Sequence, residues 1–281
     1  MARPMTAQEK QQFQQIFPNL DVNAAVVTGE ATTDYNCISW TVGVTNAWLW
    51  PGSTIQDFDA FYNQHGFWRA SGGSIAAWGD SFAAMTHGSV SGPGHGPRWE
   101  SKCGSLLRIQ HGLNELDSPS YGHIVAYYSR RGIWWWFKKL FVLGKPVRRE
   151  PMPARVSEAA RARLEAAARA LEPELKERFE RLFEAWRKSW NAPEIRIQSD
   201  PAAVRRSPEF EQLVALGPAI LPAVAEKLAD PANFFALQLF EALQPGKEYL
   251  IAIDPRASEI MEGEQGRAAR TAEAFARRLR D

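Results

Sequence analysis

Asp34-Tyr35-Asn36-Cys37-Ile38-Ser39-Trp40-Thr41-Val42-Gly43-Val44 decides the reading of this chain, because polar sequence gives way there to an apolar run that opens on a cysteine. The run predicts a helix over 37–44 with Cys37 in its first turn, where unpaired N–H groups and the helix dipole favour a thiolate. Upstream, 7–17 reads as an opening helix. Downstream, 55–65 reads as another, capped by Ser53 or Thr54 with Asp57 and Asp59 in its first turns. Short apolar and aromatic runs broken by Gly, Ser and Pro then predict strands over 74–78, 82–90, 98–102, 106–110 and 122–128, with SGPGHGP (91–97) as a turn. Helices followed by an antiparallel sheet predict an α+β fold.

Composition changes after Tyr128, where Ala, Glu, Arg and Leu take over. Leu164, Ala168, Leu171, Leu175, Phe179, Leu182, Phe183 and Trp186 recur at helical spacing across 157–190, and Pro173 kinks or divides that segment. The segments 208–216, 218–228 and 233–243, each bounded by Gly or Pro, read as short antiparallel helices, and 257–281 as a surface helix or a frayed tail. The expected organisation is a sheet-bearing domain over 1–130, an aromatic and basic linker over 131–155, and a second, all-α domain over 156–281.

The balance of residues narrows the function. A formal net charge of +1 provides no field that would gather nucleic acid. Two cysteines, Cys37 and Cys103, are too few for a disulfide framework, and two free thiols are the simpler reading. The N-terminus lacks the pattern of a secretory signal, so a cytoplasmic location, or export without a Sec-type signal, is expected. No apolar stretch approaches the roughly 20 residues of a membrane helix. The nearest, GIWWWFKKLFVL at 132–143, is interrupted by Lys138 and Lys139; it reads as cover for a core or as a membrane-surface segment. Phosphate-loop, dinucleotide and HExxH motifs are absent, and no cofactor is expected.

Chemistry falls on Cys37 and on His87, which lies among small residues in AAMTHGSV. A histidine from a separate strand would activate a thiol by taking its proton, whereas a lone cysteine at a helix start is also, plainly, a packing residue. Cys37, His87, Cys103 and His111 offer a rival zinc set, but their spacing matches no compact knuckle. On the strand after His87, Glu100 or Ser101 is expected to orient the imidazole. Lys102, which has donors only, is expected to meet a substrate carboxylate instead. Trp40 and His111 complete the expected substrate contacts, with bonding of the turn before Asn114 and Glu115 as the structural alternative for His111.

Four elements occur in order: YNCISW (35–40), THGSV (86–90), WESKCG (99–104) and IQHGLNELDSPSYGHIVAYY (109–128). Together they resemble a group of bacterial proteins related to the papain-like superfamily that contains the NlpC/P60 and CHAP amidases. The resemblance covers about a third of the chain and implies a helix-borne cysteine nucleophile with a strand-borne histidine. The implied activity is that of a cysteine-dependent hydrolase or acyltransferase working on an amide or ester bond of a protein or peptide, as a peptidase, amidase, deamidase or effector. SKCG departs from the polar residue NlpC/P60 enzymes use as third member, which leaves that member open. GPAILP and FFALQLFEAL resemble a HEAT-like helical module, which implies a protein partner there. The alternative is a protein-binding module on the same scaffold without catalysis.

Overall fold

The computed structural model describes residues 2–92, 96–130, 154–244 and 261–279. The tip of the expected turn at 93–95, nearly all of the expected linker, and Trp134 to Trp136 within it, lie outside those residues. The chain is mixed α and β. By contacts it divides into two compact units, one of Met1–Asn46, Pro51–Pro151 and Ile197–Ser199, the other of Ala47–Trp50, Met152–Arg196 and Asp200–Asp281. No helix among the described residues is long and apolar enough to cross a membrane.

Among its described residues the first unit carries eight strands: β1 (Arg3–Pro4), β2 (Val26–Gly29), β3 (Phe67–Ala70), β4 (Ile75–Ser81), β5 (Ala84–Gly92), β6 (Gly96–Lys102), β7 (Arg108–His111) and β8 (His123–Arg130). They form one sheet in the order β1-β2-β7-β6-β5-β4-β8-β3, with every pairing antiparallel. The five expected strands are present within a few residues. β1, β2 and β3 were not expected; each has four residues or fewer, too short to show an alternating pattern.

Helix α1 (Ala7–Ile16) and helix α3 (Ile55–Gln64) both start in capping boxes, Thr6 with Glu9 and Thr54 with Asp57. Helix α2 spans only Cys37–Thr41, shorter than the expected 37–44. Val42 is β-branched and Gly43 takes a φ of 78°, the left-handed turn that ends helices. One face of the sheet meets α2 and α3. The approach is close at Gly88, where an added Cβ would lie 3.0 Å from Tyr62 Oη and 3.2 Å from both Ile38 Cδ1 and Thr41 Cγ2. The opposite face builds an apolar cluster from Phe13 and Phe17 of α1 with Val27, Trp78, Cys103, Ile109, Leu116, Tyr121 and Ile197.

The second unit is helical among its described residues. Pro173 starts a new helix, Pro173–Ser189, after Glu158–Arg169, because a proline is tolerated in a first turn and not in a helix interior. Trp186 donates its indole N–H to the Val204 carbonyl at 2.8 Å, and Trp48 packs against Phe234 and Phe235. The closing helix, Gly263–Arg278, is not the exposed or frayed element the composition predicts. Its Ala268, Ala272, Phe275 and Ala276 are buried in the unit's core, because small residues let it pack closely there.

Candidate functional site

Cys37 is the first residue of α2. Asn36 caps the helix, its Oδ1 accepting the Ser39 N–H at 3.0 Å and the Ser39 hydroxyl at 2.8 Å. The Cys37 side chain is 0% exposed. Its Sγ lies 2.9 Å from Ser199 Oγ, and the nearby backbone amides of Gly88 and Ile38 favour its thiolate form. Burial pushes the thiol up to about 11, outweighing the Ser199 hydroxyl and the two amides that favour the thiolate. The activated thiolate expected from the helix start is therefore not present. A five-residue helix brings little dipole, and desolvation dominates.

His87 stands on β5 beside Gly88, which brings it into the neighbourhood of Cys37 without joining it. Alternation along β5 turns Gly88 toward α2 and places His87 and Ser89 on the opposite face. There the imidazole stacks on Tyr121 with ring centres 3.8 Å apart and meets Trp78 edge-on. Neither ring nitrogen has a hydrogen-bond partner among the described residues. Burial first, and the neighbouring His111 second, hold its pKa well below the usual histidine value.

Neither residue expected to orient His87 does so. β5 pairs with β6 at Val90↔Glu100 and Gly92↔Gly96, so His87 itself is paired with β4. Ser101 lies between Ser89 Oγ at 2.7 Å and His111 Nε2 at 2.9 Å. Glu100, on the other face, bonds Thr28 and forms an ion pair with Arg108 at 3.0 Å. The Arg108 guanidinium in turn covers the Trp40 ring at 3.8 Å, which makes Trp40 a stacking platform for that arginine.

Lys102 and His111 are likewise committed internally. Lys102 Nζ donates to the carbonyls of Thr32, Gly104 and Leu106 at 3.0, 2.6 and 2.7 Å, which uses the three ammonium protons expected for a substrate carboxylate. His111 closes a buried chain whose direction is fixed at both ends. The Trp78 indole N–H can only donate and the Gly112 carbonyl can only accept, so protons run Trp78 to Ser89 to Ser101 to His111 Nε2, and Nδ1–H points to Gly112 at 2.7 Å. Burial holds His111 down to about 4, and it bonds the turn as the structural alternative predicts. Cys103 is buried and pushed up to about 12. Among the described residues no three His, Cys, Asp or Glu side chains gather as a metal site requires, so the four-residue zinc set is not assembled.

Residues the sequence reading passed over complete the surroundings of Cys37. Asn36 Nδ2 donates to the Ser199 carbonyl at 3.4 Å, and the Tyr121 hydroxyl donates to the Ile197 carbonyl at 3.0 Å. Asn36 and Tyr121 lie inside the quoted motifs and were open to notice. Ser199 lies 162 residues beyond Cys37, and nothing local marks it.

Residues 26–129, a span that contains all four motifs, match a family described as a domain of unknown function (DUF7689). No curated protein and no solved structure matches the chain.

Proposed function

We propose that the sheet-bearing unit is a papain-like, NlpC/P60-like cysteine hydrolase or acyltransferase for an amide or ester bond of a protein or peptide, with Cys37 as nucleophile and His87 as base. The observation that carries this reading is His87 itself. A buried imidazole with both nitrogens unpartnered costs on the order of 1–3 kcal/mol, and it stands one residue from Gly88, which packs against the Cys37 helix at Ile38 and Thr41. A proton relay is a reason for a fold to keep such a group.

In the proposed reaction His87 leaves its stack on Tyr121 and takes the thiol proton as Sγ bonds to the carbonyl carbon. The tetrahedral oxyanion collapses, the C–N or C–O bond breaks, and the leaving amine or alcohol takes the proton back from His87. Water, or another acyl acceptor, then releases the acyl group from sulfur with His87 again as base. A cytoplasmic enzyme, or an effector exported without a Sec-type signal, fits this chemistry, and the HEAT-like helical unit would then recruit a protein partner.

The complete burial of Cys37 favours a second reading, a protein-binding module on the same scaffold without turnover. Turnover of a peptide and ester panel by the full chain separates the two. Loss of about a thousandfold in both Cys37→Ala and His87→Ala is expected for the hydrolase. Activity that survives His87→Ala would remove His87 as the base, and no activity in any chain would leave the binding module.

A further inference from the structure

The side-chain amide of Asn36 has a fixed orientation. Its Oδ1 takes the Ser39 N–H, which can only donate, so Nδ2 is turned to the Ser199 carbonyl. Two residues earlier the Ile197 carbonyl is held by Tyr121, and between these anchors Ser199 Oγ rests on Cys37 Sγ. Ile197 is 1% exposed and Ser199 0%. Main-chain carbonyls two residues apart on fixed donors, with an aliphatic side chain sunk in an apolar pocket, are the kind of contacts by which proteins hold peptides. Tyr121 also links this segment to His87, since the hydroxyl that holds Ile197 belongs to the ring on which the imidazole stacks.

We infer that Ile197–Ser199 is a built-in stand-in for the substrate of the Cys37 site, a strap that occupies the place of a bound peptide. The inference rests on the cysteine-hydrolase reading and names its substrate class: a peptide with an aliphatic side chain two positions before a small residue. The carbonyl of the small residue is received by Asn36 and that of the aliphatic residue by Tyr121. Asn36 is then the donor to the carbonyl that Cys37 attacks. In the closed state the strap shields the thiol and keeps Tyr121, with His87 on it, in place. A substrate must displace it.

The test labels the full chain with iodoacetamide and maps Cys37 and Cys103 separately, both being fully buried. Ile197→Asp puts a carboxylate into the apolar cluster and expels the strap. Cys37 should then label at least about tenfold faster than in the wild type while Cys103 keeps its slow rate. The peptide acetyl-Arg-Ile-Gln-Ser-Asp-amide, which carries the strap's own sequence, should restore protection at millimolar concentration. Adding Asn36→Asp, which keeps the capping oxygen but loses the N–H donors, should abolish that restoration. Cys37 and Cys103 accelerating together in a chain that keeps its near-UV circular dichroism, or absence of protection by the peptide, overturns the strap. Should Ile197→Asp lose that signal, wild-type labelling in sub-denaturing urea decides, because a strap that opens locally gives Cys37 a weaker urea dependence than Cys103, and equal dependence overturns it. Protection by the peptide with no turnover and no effect of His87→Ala would remove the hydrolase reading alone. Turnover of other acyl substrates without protection would remove the strap alone.

Discussion

Lys102 carries an ammonium group into an interior where charge is costly, and three carbonyls receive it. Thr32 precedes the Cys37 helix and Gly104 and Leu106 follow β6, so one side chain ties two loops beside the candidate site. Lys102→Met fills a similar volume and leaves three carbonyl bonds unmade. We expect a loss on the order of 3 kcal/mol, read as a lower urea midpoint with an unchanged slope. The buried histidines make a pH prediction at the same scale. His111 titrates at about 4 when folded against 6.5 when unfolded, so between those values the unfolded chain binds more protons and stability rises with pH. Its contribution is complete above pH 6.5 and is lost as pH falls toward 4, amounting to roughly 3 kcal/mol over that window. His87, shifted the same way by burial, steepens the fall. Urea midpoints measured from about pH 4 to 7.5 should show this slope, and His111→Gln should flatten it. A stability that does not change with pH would mean that neither ring is held neutral.

Elements set the surroundings of the thiol through close approach. α2 can lie on β5 because position 88 has no side chain, and a methyl group there would stand only 3.0 to 3.2 Å from its neighbours, with no slack to accommodate it. Gly88→Val should therefore push α2 off the sheet, costing about 1–3 kcal/mol and exposing Cys37 to alkylation. Thr54→Ala, which removes the cap of α3 away from the thiol, should cost about 1 kcal/mol and leave the labelling of Cys37 unchanged. The pair of variants separates loss of stability from loss of that contact, since equal labelling after equal destabilisation would deny Gly88 a specific role.

The chain as a whole assigns distant segments to each unit. Ile197–Ser199 belongs to the sheet-bearing unit and Ala47–Trp50 to the helical one. A fragment ending at residue 150 keeps β1 to β8 yet lacks Ile197, which is 1% exposed in the apolar cluster, and Ser199, the partner of Cys37. It should fold with lower stability than the full chain, by roughly 2–4 kcal/mol for the lost isoleucine and its hydrogen bonds, and should expose its thiol. Thermal melts and thiol titration of the fragment check this. A fragment as stable as the full chain, with Cys37 still shielded, would show that the 197–199 segment adds nothing.

By itself the sequence determined most of the helices and most of the strands, because capping residues such as Thr54 with Asp57, the position of Pro173 and alternating apolar runs act over a few residues and leave a local trace. It also singled out Cys37 and His87, whose residue types and surroundings are local facts. Only the tertiary structure decided what these groups touch. The alternation of β5 turns His87 away from α2, burial rather than the helix start governs the Cys37 thiol, and Ser101, Glu100 and Lys102 bond to partners other than those their spacing suggested. Ser199 reaches Cys37 across 162 residues. Desolvation and hydrogen bonding depend on which atoms are brought within a few ångströms by the whole fold, and that proximity has no signature in the residues on either side.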